Sequence, residues 1–319
     1  MKKFLSRLVK IGLILTLLGA VLFVAAFAVS GFNFEKMSGI VTTTETYTES
    51  ESFTANKLVL EFDTADITLN FDENAAEISI QYDEKSSRKG DTLSYVTPSE
   101  HNGTITLIET KNWKHNLFLW NFRKPTVTVT IPCGRVLELD IETDTGDVIF
   151  TGTGTLNGAE ISIDTGDLYA TRATLTSTKS VKIETDTGDV KLKNLNTASL
   201  GIETDTGDID LTDITVSDSI ILSADTGDVE IKGSLTARYL EIETDTGEVD
   251  ADEAVINAEI ISIETDTGDI SAKITGKLTD YTVTAKTRTG DSNITNQAGG
   301  AKKLTVTSST GDIEIYFTE

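Results

Sequence analysis

Cysteine, proline, aromatic residues and positive charge are all scarce in this chain of 319 residues. The single cysteine, Cys133, excludes an intramolecular disulfide framework. Lys and Arg total 27 against 51 Asp and Glu, so the formal net charge is −24. This charge argues against nucleic acid as a partner, because binding to phosphates requires a basic surface.

A five-residue motif, Thr-Asp-Thr-Gly-Asp at positions 143–147, recurs with small changes nine times. Consecutive copies of its glycine are separated by 19 to 22 residues. A nearly fixed period of this length indicates an array of stacked structural repeats. The repeat glycines are Gly146, Gly166, Gly188, Gly207, Gly227, Gly247, Gly268, Gly290 and Gly311.

Apolar and polar residues alternate around each glycine, which predicts β-strands rather than helices. The position of Thr143 holds Ile163 and Ala224 in other copies, so we expect this side chain to point into the core and its neighbours to point outward. Two residues after the glycine, an apolar residue occurs in eight of the nine copies. The predicted fold class is all-β: a single-stacked β-solenoid of about 20-residue repeats, preceded by an N-terminal transmembrane helix.

Residues 1–30 predict a membrane anchor. Four basic residues and no acidic residue lie within positions 1–10, and the uncharged apolar run Ile11 to Val29 follows. A run of this length can span a bilayer, and the basic flank favours an extracellular C-terminal part. A cleaved signal peptide is the alternative, because Ala26-Phe27-Ala28 resembles a cleavage site, and the protein would then be secreted.

The remaining chain divides by composition into three parts. Residues 31–56 are rich in Thr, Ser and Glu and predict a tether or a weak first strand. Residues 57–136 predict an irregular N-terminal β region, in which Ala65 takes the place of the glycine in a worn copy of the repeat. Residues 137–319 form the regular repeat array.

Stacking the repeats would align their acidic residues in two surface columns. The pre-glycine column, two residues before each glycine, consists of Asp144, Asp164, Asp186, Asp205, Asp225, Asp245 and Asp266. The post-glycine column, directly after each glycine, includes Asp147, Asp167, Asp189, Asp208 and Asp228.

Like charges at strand spacing destabilise a sheet unless something compensates for them. One interpretation is that each Asp accepts backbone N–H bonds at its own corner while Thr hydroxyls form a ladder. The other is that calcium ions lie between the coils, because Ca²⁺ prefers several carboxylate and carbonyl oxygens. The part of the chain after residue 36 carries a charge of −28, since residues 1–36 contribute five bases and one acid. That charge favours a cationic partner, such as a cationic peptide.

The sequence favours a non-enzymatic protein. Asp-Thr-Gly is also the signature of aspartic proteases, but those enzymes need one carboxylate pair in a distinct environment, and here the motif occurs seven times in similar contexts. A polysaccharide-active β-helix enzyme is an alternative. However, the array has few aromatic residues for a sugar site, and both histidines, His101 and His115, precede it.

A basic, aromatic insert interrupts the N-terminal β region between Lys111 and Lys124. It has two interpretations: a cap over the open end of the solenoid, or a contact loop for an anionic surface or a partner. The contact-loop residues are Trp113, Phe118, Trp120, Phe122, Arg123 and Lys124.

The basic N-terminus, the apolar span, the strand ending in Thr130-Ile131-Pro132 and the repeated Glu-Thr-Asp-Thr-Gly-Asp-Val corners together resemble the putative-adhesin family typified by the LiaG-like proteins of Gram-positive bacteria. The resemblance covers roughly residues 40–319. It implies an extracytoplasmic β-solenoid of the cell envelope, connected with envelope stress responses and resistance to antimicrobial peptides. The family pattern contains no catalytic residues, so the resemblance implies none in this chain.

These observations predict a membrane-anchored, adhesin-like binding or envelope-stress module with an acidic face, whose partners are cationic peptides or envelope components. A structural rod stiffened by Ca²⁺ is the second hypothesis, and the polysaccharide-active enzyme is the third.

Overall fold

The structure is a computed structural model that describes residues 2–32, 40–87, 90–112 and 124–318, with side chains described from residue 12 onward. The chain divides into two compact units. One comprises residues 1–44, 83–95 and 110–124, and the other comprises residues 45–82, 96–109 and 125–319. The larger unit contains all nine repeat corners.

The described residues form one long helix followed by strands. In chain order the elements are α1 (Lys2–Val29), β1 (Ile40–Thr48), β2 (Lys57–Thr64), β3 (Asp66–Asp72), β4 (Ser79–Ser87), β5 (Thr92–His101), β6 (Thr104–Lys111), β7 (Thr126–Pro132), β8 (Val136–Thr145), β9 (Val148–Thr165), β10 (Leu168–Ser177), β11 (Val181–Thr187), β12 (Val190–Thr197), β13 (Leu200–Thr206), β14 (Ile209–Val216), β15 (Ser219–Thr226), β16 (Val229–Thr236), β17 (Tyr239–Thr246), β18 (Val249–Asn257), β19 (Ile260–Thr267), β20 (Ile270–Thr275), a short 3-10 helix (Leu278–Asp280), β21 (Tyr281–Thr289), β22 (Lys302–Thr310) and β23 (Ile313–Thr318).

Parallel pairing between successive coils confirms the predicted β-solenoid. The strands that lead into the corners pair in the order β8, β9, β11, β13, β15, β17 and β19, and we call this succession the pre-glycine sheet. The strands that leave the corners pair in the order β9, β10, β12, β14, β16, β18 and β20, and we call this succession the post-glycine sheet. Each coil therefore contributes one strand to each sheet, joined by the Thr-Gly corner.

The core of the larger unit is the stack of apolar side chains that point inward from both sheets. The position two residues after the glycine is at most 1% exposed at Val148, Leu168, Val190, Ile209, Val229, Val249, Ile270 and Ile313. Thr143 is 1% exposed, whereas its neighbours Glu142 and Asp144 are exposed. The predicted inward and outward positions are confirmed.

The order of the coils differs from the order of the sequence at both ends of the array. At the C-terminal end, β22 pairs with β19 on one side and with β21 on the other, so the Gly311 corner lies between those of Gly268 and Gly290. At the N-terminal end, β2 lies between β6 and β8, and β3 lies between β7 and β9. At the C-terminal end, strand β22 is thereby paired on both sides, which protects its backbone N–H and C=O groups from competition by solvent.

The segment predicted as a tether contains strand β1 and a buried acidic residue that follows it. Glu49 is 4% exposed and forms an ion pair with Arg135. Its other carboxylate oxygen accepts a hydrogen bond from the Ala55 amide at 2.8 Å. A buried carboxylate is stable only when it is paired in this way, so residues 49–55 are held against the coil that follows β7.

Candidate functional site

The corner glycines bring successive coils into direct backbone contact. A Cβ atom added at Gly188 would lie 1.9 Å from the carbonyl oxygen of Gly166, and one at Gly207 would lie 2.0 Å from that of Gly188. Both glycines also have positive φ, at 155° and 151°, which disfavours any other residue. This close contact fixes the register of the corners, and with it the alignment of the acidic columns on either side.

The post-glycine column holds the coils together. The backbone N–H of Asp167 donates to the Asp147 carboxylate at 3.1 Å, and that of Asp189 donates to Asp167 at 2.8 Å. The bonds from Asp208 to Asp189 and from Asp228 to Asp208 repeat this geometry at 3.0 and 2.9 Å. Hydrogen bonds to a carboxylate are stronger than neutral ones. The sequence interpretation placed these bonds within each corner, whereas the structure places them between neighbouring coils.

Buried threonines add a second inter-coil ladder. The Thr204 hydroxyl donates to the Gly188 carbonyl at 3.4 Å, and the Thr265 hydroxyl donates to that of Gly247 at 3.1 Å. These bonds satisfy hydroxyl groups that point into the core. The inward Thr position and the post-glycine Asp position are therefore structural.

The pre-glycine column has a different environment, because all seven of its aspartates are exposed. In the part of the chain that the structure describes, the carboxylates of the six members from Asp144 to Asp245 make no hydrogen bond or ion pair, and that of Asp266 accepts one bond from the Ser309 hydroxyl at 3.3 Å. Aligned residues such as Asp186 and Asp205 lie on strands paired in register, roughly 4.8 Å apart. The column is therefore a line of uncompensated negative charge.

Neighbouring residues strengthen this negative field. Two positions before the column, the same face carries Glu142, Glu184, Glu203, Glu243 and Glu264. Among these glutamates only Glu184 has an ion-pair partner, Lys182, within the described residues. Desolvation and the charges of Asp144 and Asp186 raise the pKa of Asp164.

A second acidic feature lies on the post-glycine sheet as an open groove of about 270 Å³. It contains Glu248, the only glutamate in a column of aspartates. Glu248 accepts no hydrogen bond from the Asp269 amide in the described structure, and desolvation and nearby acids, first Asp250, raise its pKa. The inter-coil ladder is thus interrupted at this coil, which the sequence analysis did not detect.

The predicted calcium ladder remains a prediction. Across residues 2–32, 40–87, 90–112 and 124–318, no three or more His, Cys, Asp or Glu side chains converge as a metal site requires. The post-glycine carboxylates Asp147, Asp167, Asp189, Asp208 and Asp228 each have one oxygen occupied by a backbone N–H. The second oxygen of each of these carboxylates and both oxygens of the pre-glycine carboxylates are the ligands that the calcium prediction requires.

The predicted contact loop lies almost entirely outside the described residues, because Trp113, Phe118, Trp120, Phe122 and Arg123 fall in the range 113–123. Lys124, its last member, is exposed. The cap and contact-loop interpretations both remain predictions.

Helix α1 carries the apolar run expected of a membrane span. Gly12–Val29 has a mean hydropathy of 2.6 and is the one described helix that is long and apolar enough to cross a bilayer. A signal sequence near an N-terminus has the same properties.

A comparison with solved structures finds similar chains at low sequence identity. A putative lipid binding protein from Parabacteroides distasonis is 15% identical, with a TM-score of 0.49, covering 87% of this chain and 97% of that one. A putative adhesin from Bacteroides fragilis is 15% identical, with a TM-score of 0.42, covering 86% and 97%. A putative cell adhesion protein from Clostridium sporogenes is 12% identical, with a TM-score of 0.25, covering 87% and 100%. No curated protein matches the chain.

The repeat array and the N-terminal β region together match one family model, which spans residues 55–316. The match includes all nine repeat corners and the worn copy at Ala65. This chain belongs to the Toastrack DUF4097 family.

Proposed function

We propose that this protein is a non-enzymatic, membrane-anchored, extracytoplasmic binding module, and that its pre-glycine column binds a cationic partner. The observation that carries the proposal is the contrast between the two acidic columns. The post-glycine carboxylates are occupied by backbone N–H groups, whereas Asp144, Asp164, Asp186, Asp205, Asp225 and Asp245 are exposed and unpartnered.

The column suits an extended basic partner better than a single small ion. Its charges repeat at the strand spacing over seven coils, so a chain of lysine or arginine side chains can contact several carboxylates simultaneously. Such contacts attract a partner from a distance and weaken as salt screens the charges. A cationic peptide or a basic component of the cell envelope has this chemistry.

The N-terminal sequence supports the proposed location. The basic residues before the apolar run favour a cytoplasmic N-terminus, and α1 then anchors the repeats at the outer surface of the cell membrane as a single-pass protein. If the segment is cleaved as a signal peptide, the same binding face belongs to a secreted protein. The resemblance to LiaG-like proteins suggests a role in adhesion or in the response to cell-envelope stress.

The uniformity of the pre-glycine column supports a binding role over catalysis. Acid–base catalysis by carboxylates needs two groups held in unlike environments. The pre-glycine column instead presents the same side chain in the same setting in successive coils.

Calorimetric titration with an oligolysine peptide tests the proposal. Full-length protein in zwitterionic detergent is expected to bind the peptide, and the affinity should fall as the salt concentration rises through the physiological range. The triple variant Asp186→Asn, Asp205→Asn and Asp225→Asn should weaken binding about tenfold or more, because it removes three adjacent charges from the column.

A matched triple variant away from the column controls for net charge. Asp252→Asn, Glu253→Gln and Glu259→Gln remove the same number of exposed negative charges and should change the affinity by less than about twofold. Equal losses in the two triple variants, or binding that does not respond to salt, would contradict a specific role for the column.

A further inference from the structure

A shallow depression interrupts the charged rows of the pre-glycine sheet. It has a volume of about 360 Å³ and is centred on Gly201 of β13. Gly201 is paired with Lys182 on one side and with Ile221 on the other. Its lining is mainly aliphatic and serine residues from three successive coils, together with Lys182 and Glu203.

Gly201 differs from the corner glycines because the fold does not require it. A Cβ atom at this position would meet nothing within 4 Å, and its φ is not in the left-handed region. Glycine inside a strand weakens the strand, and it often marks a place where another group approaches the backbone closely. The missing side chain leaves room on the outer surface of the sheet.

The neighbouring coil replaces charged residues with uncharged ones. In the row of Gly201, four coils carry the charged residues Asp140, Glu160, Lys182 and Glu241, and β19 carries Ser262, but β15 carries Ile221, which is 47% exposed. In the adjacent glutamate row, Ser223 lies between Glu203 and Glu243. An apolar gap of this kind on a highly charged surface fits contact with an apolar group.

The charges around the depression favour one class of occupant. Glu203 lines it, Glu243 pairs with the lining residue Ser223, and Asp205 and Asp225 follow two positions further along their strands. The carboxylates of these four residues make no hydrogen bond or ion pair in the described structure. The nearest base, Lys182, is already paired with Glu184. The charged side chains beside the depression that lack an ion-pair partner are therefore acidic, which favours a basic partner.

We propose that the depression is an anchor site for a bulky aliphatic side chain of a basic peptide segment, whose lysine or arginine groups bind the adjacent glutamate row and pre-glycine column. This inference rests on the proposed function and adds an apolar determinant of specificity to it. Positions two and four residues along the strand lie roughly 7 and 13 Å from Gly201. The partner's basic groups should therefore lie at these distances from its apolar residue.

Two probe peptides of equal length and charge test the inference. Each contains four lysines separated by glycines, and one has leucine at its centre where the other has glycine. The leucine peptide should bind the full-length wild-type protein about tenfold more tightly in calorimetric titration, because burial of the side chain in the depression stabilises the complex.

Gly201→Val fills the depression without a clash, since the site is open and valine suits a strand. It should lower the affinity for the leucine peptide to that of the glycine peptide and leave the glycine peptide unaffected. Ser262→Val adds similar bulk in the same row, three coils away, and should change neither affinity by more than about twofold.

Three results would overturn the inference: equal wild-type affinities for the two peptides, equal losses for both peptides in Gly201→Val, or the same effect from Ser262→Val. If the peptides bind equally and the Asp186, Asp205 and Asp225 triple variant weakens both, the apolar anchor fails while the proposed function stands. If neither peptide binds the wild-type protein, the proposed function fails as well.

Discussion

Asp205 and Asp208 lie three positions apart in the same repeat but have different roles. The carboxylate of Asp208 accepts a hydrogen bond from the Asp228 backbone N–H of the next coil at 2.9 Å, whereas the carboxylate of Asp205 is exposed and makes no hydrogen bond or ion pair within the described residues. The difference follows from the corner, which turns the residue after the glycine toward the neighbouring coil. Residue identity alone therefore does not determine the role of an acidic residue here.

Alanine substitution should distinguish the stabilising aspartate from the exposed one. Asp208→Ala removes a charge-assisted acceptor from a backbone N–H and should lower the free energy of unfolding by about 1–2 kcal/mol. Asp205→Ala, its matched control, should change that free energy by no more than about 0.5 kcal/mol. Urea unfolding of both variants measures the difference, and a larger loss for Asp205→Ala would contradict the assignment of roles.

The sequence predicted which side of each strand faces the core, but not which atoms compensate for the acidic columns. Alternation places Thr143 inside and Asp144 outside without ambiguity, and both positions are confirmed. The inter-coil bonds of Asp147 and Asp167 depend on how closely adjacent corners stack, which no local pattern encodes. The depression at Gly201 was missed because a glycine outside the motif gives no periodic signal.

At the scale of the strand, the two ends of the array show how identical repeats are distinguished. The Gly290 and Gly311 copies have nearly the same motif, so the sequence pattern could not predict that β22 would insert between β19 and β21. Residues of the segment between β21 and β22 cover the edge of β21 that faces away from β22. Val283 of β21 exchanges two backbone hydrogen bonds with Gln297, at 2.7 and 3.0 Å, and the side chain of Asn296 accepts the Ala285 amide at 2.8 Å.

At this end of the array, asparagine side chains make backbone hydrogen bonds of the kind that a neighbouring strand makes elsewhere. The Asn293 amide accepts the Ile315 N–H at 2.9 Å and donates to the Ile315 carbonyl at 3.1 Å. Covered edges of this kind protect a sheet from pairing with another chain. The end of the solenoid is therefore closed by specific polar side chains as well as by apolar packing.

Asn293→Ala should expose the backbone of β23. We expect a loss of about 1–2 kcal/mol in the free energy of unfolding and faster hydrogen exchange at the Ile315 amide. Asn257→Ala, at an exposed strand end with no side-chain hydrogen bond in the described structure, is the matched control and should leave this exchange unchanged. Unaltered exchange at Ile315 in Asn293→Ala would contradict the capping role.

At the scale of the whole molecule, the part of the chain that follows residue 36 has a formal net charge of −28. The two acidic columns that contribute to this charge have different structural environments. Acids in the post-glycine column stabilise the stack through backbone N–H groups, whereas acids in the pre-glycine column add repulsion between coils. Repulsion between like charges on neighbouring strands costs stability. The pre-glycine column lowers the stability of the fold, so its presence is better explained by the binding role proposed for it than by a structural one.

Thermal unfolding tests most directly whether the two acidic columns differ in role. It compares the wild-type protein with the triple variant Asp186→Asn, Asp205→Asn and Asp225→Asn. Both proteins are measured at one ionic strength with millimolar calcium, with millimolar magnesium and with chelator. If the pre-glycine column has no structural duty, the variant should unfold at the same temperature as the wild type or a few degrees higher, since three repulsive charges are removed. Calcium should then raise the wild-type Tm no more than magnesium does. A calcium-specific rise that the variant loses, or a lower Tm of the variant in chelator, would contradict the account and identify the column as a structural metal ladder.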